Sequence, residues 1–289
     1  MAITESGHLP RVLVAGCGKL GGSIASALLD QAEVFGLRRN AHKVPEGVTG
    51  ISADLTRPAT LQGQLPDRLD VVIYCLTPSS YDEDGYRSAY VTGLANLLKE
   101  IGNQSIKRLI FVSSTSVYAQ DDDGWVDEAS PTTPARFSGQ QIIAGEQTAL
   151  NSNHPATIVR FSGIYGPTRQ RFLEEVLEGR MNPKSPAPFS NRIHEVDAAR
   201  VVVHLTERAL AGKPLEPVYI ASDCKPVRLD EVVEWIREQI PCKAPKAQAR
   251  RGGRAGSKRC SNRRLLESGF AFRYPDFRAG YREMIDSLS

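Results

Sequence analysis

Gly16, Gly18 and Gly21 stand at the spacing G-x-G-x-x-G, and three glycines so placed suit the binding of a pyrophosphate by backbone N–H groups. The first would allow a tight turn, the second a close approach of backbone to phosphate, and the third would let a helix lie against a strand. Lys19 and Leu20 open that helix, whose N-terminus would face the anion with free N–H groups and the positive end of its dipole. Roughly 20 residues further on, where such a fold meets the adenosine ribose, stand Arg38 and Arg39. An acid there would accept from the ribose hydroxyls and favour NAD, whereas a guanidinium pairs with the 2′-phosphate of NADP and stacks on adenine. The expectation is NADP ahead of NAD. The alternative for two adjacent arginines is a solvated strand end.

The elements that must position these groups follow from hydrophobic pattern. Val12 to Ala15 is an apolar run that stops at Gly16, and Leu20 to Leu29 is amphipathic, so strand, turn and helix are the simplest reading. Glu33 to Arg39, Gly50 to Leu55, Val71 to Leu76 and Arg108 to Ser113 read as further strands, the third of them apolar throughout as in a strand buried on both faces. Tyr86, Ala89, Tyr90, Gly93, Leu94, Leu97, Leu98 and Ile101 recur at helical spacing, predicting one helix over 86–101. Strands alternating with helices make right-handed units and a parallel sheet with ligands beyond the carboxyl ends of its strands. Asp54 and Leu55 would then flank the adenine, and Leu76, Thr77 and Ser113 would line the nicotinamide side. Later come a helix over 135–150, a strand over 156–161, a loop over 181–189, helices over 196–210 and 229–240, and a strand over 217–221. Glu195 and Asp197 fall in the first turn of the helix over 196–210, where acids complement the dipole.

Composition narrows the function classes. The chain has 289 residues, 41% hydrophobic and 24% charged, with a net charge of +3; that suits a folded domain with a full core. No apolar run approaches the roughly 18 residues of a membrane span. The five cysteines, Cys17, Cys75, Cys224, Cys242 and Cys260, form no C-x-x-C pair, which argues against a zinc site or a disulfide framework and fits a reducing cytoplasm. The opening residues carry no signal core, so a cytoplasmic protein without membrane contact is expected. The run from Lys243 to Arg264 is basic but contains no aromatic residue, so bases would have no stacking platform; a solvated, partly flexible face is expected, and no nucleic-acid partner.

In Phe111-Val112-Ser113-Ser114-Thr115-Ser116-Val117-Tyr118 the chain resembles the extended short-chain dehydrogenase/reductase superfamily, of the NAD-dependent epimerase/dehydratase type. Arg160 to Pro167 is similar to the family's R-x-x-x-x-Y-G-P turn, and Arg192-Ile193-His194-Glu195-Val196-Asp197-Ala198-Ala199 to its R-I-H-V-D-D-A-A. The resemblance implies that Ser114 bonds the reacting oxygen of the substrate, and that Phe161 and Gly163 border the nicotinamide. It also implies a catalytic Y-x-x-x-K, which is missing. Anchored on Glu146, the tyrosine position holds Ser138 and the lysine position Ile142. Neither can serve as a general acid, a role contributing typically 10²–10⁴-fold. Tyr118, Tyr165 and Tyr81 lie where a replacement could come from, Tyr118 being the catalytic candidate. Extended members usually show T-G-x-x-G-x-x-G, whereas here Val14-Ala15-Gly16 leads into G-x-G-x-x-G; both departures together resemble the atypical branch of the superfamily, the YeeZ-like proteins.

The reading is therefore an α/β chain. A Rossmann doubly wound parallel sheet occupies 11–165 and 192–221, and a smaller C-terminal substrate domain occupies 166–191 and 222–289. Two function classes stand. One is an NADP-preferring oxidoreductase or epimerase-like protein acting on a polar or sugar-nucleotide-like small molecule. The other is a non-catalytic dinucleotide-binding sensor. No metal site is expected. By analogy with extended members, two copies would pair through a four-helix contact using the helix over 86–101.

Overall fold

The computed structural model describes residues 8–250 and 256–288. The chain divides into two compact units, the first comprising the chain up to Val117, Thr132–Arg160 and Ala199–Tyr219, the second Tyr118–Pro131, Phe161–Ala198 and the chain from Ile220.

In the first unit, β1 (Arg11–Ala15) leads through the glycine turn into α1 (Lys19–Ala27), followed by β2 (Glu33–Arg38), β3 (Thr49–Ser52) and β4 (Val71–Tyr74). Residues 12–15 and 71–74 are fully buried, as a strand covered on both faces requires. The expected single helix over 86–101 is interrupted: α2 (Glu83–Arg87), a π-helical turn (Ser88–Thr92) and α3 (Gly93–Ile101). It also starts earlier, because the Asp82 carboxylate accepts from Gly85 N at 2.7 Å, satisfying one of the orphan donors of a helix start. The interruption has a buried cause. Gly93 N bonds Ser88 O, five residues back, rather than Ala89 O, and Ala89 O accepts from the Tyr74 hydroxyl at 2.5 Å. Tyr74 is fully buried in β4, where a phenol without an acceptor would be costly. Gly93 makes room, since a Cβ there would fall 2.6 Å from that hydroxyl.

The chain continues with β5 (Arg108–Ser114), the short β6 (Trp125–Val126), α4 (Phe137–Leu150), β7 (Ala156–Phe161), β8 (Gly163–Tyr165), α5 (Arg171–Leu177), β9 (Phe189–Ser190) and β10 (Arg192–His194). Then come α6 (Glu195–Leu210), β11 (Val218–Ala221), β12 (Val227–Arg228), α7 (Leu229–Gln239), β13 (Arg259–Cys260), α8 (Arg263–Glu267) and α9 (Phe277–Asp286). The main sheet has seven strands in the order β11-β7-β5-β4-β1-β2-β3, with β3, β2, β1, β4 and β5 paired in parallel. The order reverses between β1 and β4, the switch point of a Rossmann fold.

The second unit packs α5, α7 and α9 around Tyr165, Val176, Val232, Ile236, Phe277 and Met284. Here the described part of the basic run is a solvated face at Lys243, Lys246, Arg250 and Arg263, as expected, but not around residues 257–260. Lys258 is 2% exposed and Cys260 1%, and β13 pairs with β6. The acidic loop ahead of β6 supplies the partners. Asp121 accepts from Ser257 N at 2.6 Å, Asp123 bonds the Ser257 hydroxyl, and its second oxygen accepts from Arg228 Nη2 at 2.7 Å. Lys243 N and Lys246 N donate to Leu177 O and Gly179 O, both at 2.8 Å. Arg251 and Arg254 lie outside the described residues. Glu195 and Asp197 are likewise more than dipole partners: Glu195 accepts from Thr168 N at 2.9 Å, and Asp197 from Arg273 N and Tyr274 N at 3.0 and 2.7 Å.

Candidate functional site

The glycine turn is fixed by its neighbours. Gly16 has φ +98°, a left-handed conformation that favours glycine, and a Cβ on it would fall 2.5 Å from Cys75 O at the end of β4. Gly16 N and Cys17 N both donate to Leu37 O at 3.0 Å, so the carboxyl ends of β1, β2 and β4 meet at the turn. A Cβ on Gly21 would strike Gly16 O. Gly18 is different: it is exposed, and a Cβ there would meet nothing nearer than 4.0 Å. No side chain caps α1 and no acid stands in its first turn. Lys19 is exposed beside that end while Leu20 is buried in the unit. Open space beside Gly18, facing an uncapped helix start, fits a pyrophosphate.

Arg38 and Arg39 sit at the end of β2 and just beyond it. Arg38 Nη1 donates to Cys17 O at 3.0 Å and to Lys43 O at 2.8 Å. Arg39 is exposed. Burial pushes the Asp54 carboxyl up, but bonds from the Thr56 hydroxyl and amide, with Arg39 and Arg57 nearby, outweigh it and hold the group below its ordinary range. Leu55 is buried, its carbonyl accepting from Asn96 Nδ2 at 2.9 Å. After β4, Leu76 is half-buried and Thr77 exposed.

At the end of β5 two adjacent serines part company, as alternation along a strand requires. The Ser113 hydroxyl is buried and donates to Glu146 Oε1 at 2.5 Å. Arg160 clamps the same carboxylate, Nε to Oε1 at 2.9 Å and Nη2 to Oε2 at 2.6 Å. Ser114 is half-buried, and its hydroxyl oxygen accepts from Ser116 N at 3.1 Å; among the described residues its proton has no acceptor. Ser138 and Ile142 lie on α4 and are both buried. The exposed Tyr81 packs edge-on against Tyr86 and Phe137.

The remaining sequence-stated residues belong to the second unit. Phe161 is buried and Gly163 exposed. Tyr118 is 2% exposed and its hydroxyl donates to Asp127 O at 2.8 Å. Tyr165 stacks on Tyr281, and burial raises its pKa.

Sequence reasoning missed a cavity of about 410 Å³ in the second unit, lined among others by Arg169, Arg171, Arg192, Arg250, Phe172 and Tyr281. Arg171 and Arg250 share Glu175 at 3.0 and 2.8 Å. Arg192 is 5% exposed and has no carboxylate within ion-pair distance among the described residues. It bonds the Ser190 and Tyr281 hydroxyls at 2.8 and 3.3 Å and lies over the Phe172 ring at 5.6 Å; its Nε has no partner. A buried guanidinium with an orphaned donor is expensive unless an anion completes it. Asp223, whose amide bonds Arg192 O at 2.8 Å, is pushed up to about 7 by burial, which outweighs the favourable field of Arg192. In the sequence Arg192 is marked only as the head of the R-I-H stretch that forms β10.

The Asp223 shift has a measurable consequence. The unfolded chain releases this proton near the ordinary 3.8, the folded chain only near 7. Between those values the unfolded state binds fewer protons, so stability falls as pH rises and levels off above 7. Asp223→Asn, which has no such proton, is expected to flatten that slope in urea unfolding followed from pH 4 to 8; an unchanged slope would refute the assignment.

With the geometry established, comparison with known proteins is direct. The sequence profile of the NAD dependent epimerase/dehydratase family matches residues 12–228. The chain belongs to this family. A similar solved structure is that of a Methylobacillus flagellatus protein assigned as an NAD-dependent epimerase/dehydratase, 35% identical, covering 97% of this chain and 99% of that one with a TM-score of 0.82. Protein YeeZ of Escherichia coli (strain K12) is 26% identical over 65% of this chain and 66% of its own length. A Streptomyces antibioticus protein assigned as a dTDP-4,6-dihydroxy-2-methyloxan-3-one 4-ketoreductase is 28% identical over 43% of this chain. The chain thus spans 44% of that ketoreductase and 66% of YeeZ. As an atypical member of the epimerase/dehydratase family, the protein keeps the glycine turn and the serine at the end of β5, while Ser138 and Ile142 replace the tyrosine and lysine. Among the described residues no helix is long and apolar enough to cross a membrane, and no three metal-ligating side chains cluster.

Proposed function

We propose that the protein binds NADP(H), in preference to NAD(H), as an oxidoreductase or epimerase-like enzyme of the atypical short-chain dehydrogenase/reductase type. Its substrate is a polar, anionic small molecule of the sugar-nucleotide class. The glycine turn carries the reading: Gly16 and Gly21 admit no side chain, whereas Gly18 faces open space at an uncapped helix start. Gly16, Gly18, Lys19, Leu20 and Gly21 would hold the pyrophosphate and Asp54 and Leu55 would flank the adenine. Leu76, Thr77, Ser113, Phe161 and Gly163 would serve the nicotinamide half. Ser113 would do so through its backbone, because its hydroxyl is committed to Glu146.

When bound, the cofactor supplies the hydride. This chain's part is to orient it, and to hold the substrate oxygen with the donor proton of Ser114. The substrate class is supported by the buried Arg192, which makes no ion pair among the described residues, in a cavity with three further arginines, since guanidinium groups match phosphate oxygens in fixed geometry. The ketoreductase relative is named for a dTDP-linked sugar, which agrees. We place the substrate domain at 166–191 and 222–289.

The second reading, a non-catalytic dinucleotide sensor, is favoured by Ser138 and Ile142. Neither can deliver a proton at neutral pH, and both are buried. One experiment separates the two. Purified protein is titrated with NADPH and with NADH by nucleotide fluorescence, then incubated with UDP- and dTDP-sugars and the bound nucleotide. Tighter NADPH binding with turned-over sugar supports the enzyme, tight binding without turnover supports the sensor, and no binding of either nucleotide sinks both.

A further inference from the structure

Arg38 and Arg39 are neighbours in sequence, yet their guanidinium groups do different work. Both hydrogens of Arg38 Nη1 are used, on Cys17 O and on Lys43 O. Cys17 lies inside the glycine turn, its thiol buried so closely over β2 that a Cβ on Gly36 would fall 3.0 Å from its sulfur. Gly18 N donates to Gly16 O at 2.7 Å, so the peptide joining Cys17 to Gly18 is held at both ends, its N–H by Gly16 and its carbonyl by Arg38. That peptide immediately precedes the N–H groups that open α1. Lys43 closes a 3₁₀ turn over Ala41–Lys43, and the segment packs on α1 through Pro45, which lies 3.6 Å from where a Cβ on Gly22 would stand. Arg38 therefore ties the phosphate turn to the loop that follows β2. Arg39 makes no such tie: its guanidinium is exposed and donates to no carbonyl among the described residues, and its field falls on Asp54.

We propose that Arg38 is a positioning residue that sets the glycine turn for either dinucleotide, and that Arg39 alone reads the 2′-substituent. The inference rests on the dinucleotide site proposed above.

The test measures NADPH and NADH affinities of wild type, Arg38→Met, Arg38→Lys and Arg39→Met well below their melting temperatures. Arg38→Met is expected to weaken both nucleotides by a similar factor, roughly tenfold, leaving their ratio unchanged. Arg38→Lys keeps donors for the two carbonyls and is expected to recover most of that loss, a rescue that a merely structural side chain would show only in the melting temperature. Arg39→Met is expected to weaken NADPH by about tenfold to a hundredfold, the size of one hydrogen bond to a charged group, with NADH unmoved. Selective loss of NADPH in Arg38→Met, or a retained NADPH preference in Arg39→Met, would overturn this inference alone. If Arg38→Met fails to fold, the Arg39→Met ratio still decides. A wild-type protein that binds neither nucleotide removes the site itself and this inference with it.

Discussion

Glu146→Ala is expected to cost roughly 3–5 kcal/mol of folding stability, the penalty for breaking a buried ion pair by removing one partner. Arg160, 6% exposed, would be left with a full charge and two unpaired donors where Glu146 Oε1 and Oε2 now accept at 2.9 and 2.6 Å. The buried Ser113 hydroxyl would lose its acceptor as well. The double variant Glu146→Leu with Arg160→Met removes both charges and is expected to recover much of the loss, because an apolar pair of similar volume is often neutral in such a place. Urea unfolding of the three proteins measures both quantities. A single-variant loss under about 1 kcal/mol, the scale of an exposed pair, would show that the carboxylate is not holding β5, α4 and β7 together.

The second large effect separates two glycines only three positions apart. In Gly21→Ala the new methyl is driven into Gly16 O and to within 3.2 Å of Val14 Cγ1, and overpacking of this kind costs typically 1–3 kcal/mol. Gly16 O is also the acceptor for Gly18 N, so the turn must move. NADPH affinity is expected to fall by roughly a hundredfold, as for two lost hydrogen bonds to phosphate. Gly18→Ala meets no protein atom within 4.0 Å. It is expected to melt as the wild type does while losing a comparable share of binding, because its methyl fills the space a phosphate would take. Thermal melts run beside nucleotide titrations distinguish the two. Undiminished binding in Gly18→Ala would mean that the space beside the turn is not used.

Much of the sheet could be read from the chain because its central strands β1 and β4 are short apolar runs buried on both faces, and the first stops at a glycine turn. The π-helical turn could not, because its cause lies elsewhere: Tyr74 sits on β4, and nothing in the helical pattern of 86–101 shows that its hydroxyl needs Ala89 O. Arg38 and Arg39 look equivalent as letters; only the folded turn shows that one donates to Cys17 O. Ser113 looked like a site hydroxyl and proves committed to Glu146, a partner 33 positions away. The burial of Ser257, Lys258 and Cys260 late in the basic run is hidden for the same reason: Asp121 and Asp123, the carboxylates that hold Ser257, lie more than 130 residues upstream, beyond the reach of any local pattern. Arg192 is legible only as the head of a family-like stretch, because a buried arginine without an ion pair can be recognised only once its surroundings are known.

The pairing of the acidic loop with β13 also constrains the order in which the protein can be made. Asp123 waits for Ser257, 134 positions later, and Trp125 for Arg259, so β6 has no partner strand until most of the chain has left the ribosome. The strands β1 to β5, by contrast, are complete by Ser114 and can begin to associate early. A nascent chain therefore carries the exposed Trp125 and three consecutive aspartates through nearly half of its synthesis. That run of like charge is itself a safeguard, since unpaired strand edges flanked by charge resist pairing with other chains.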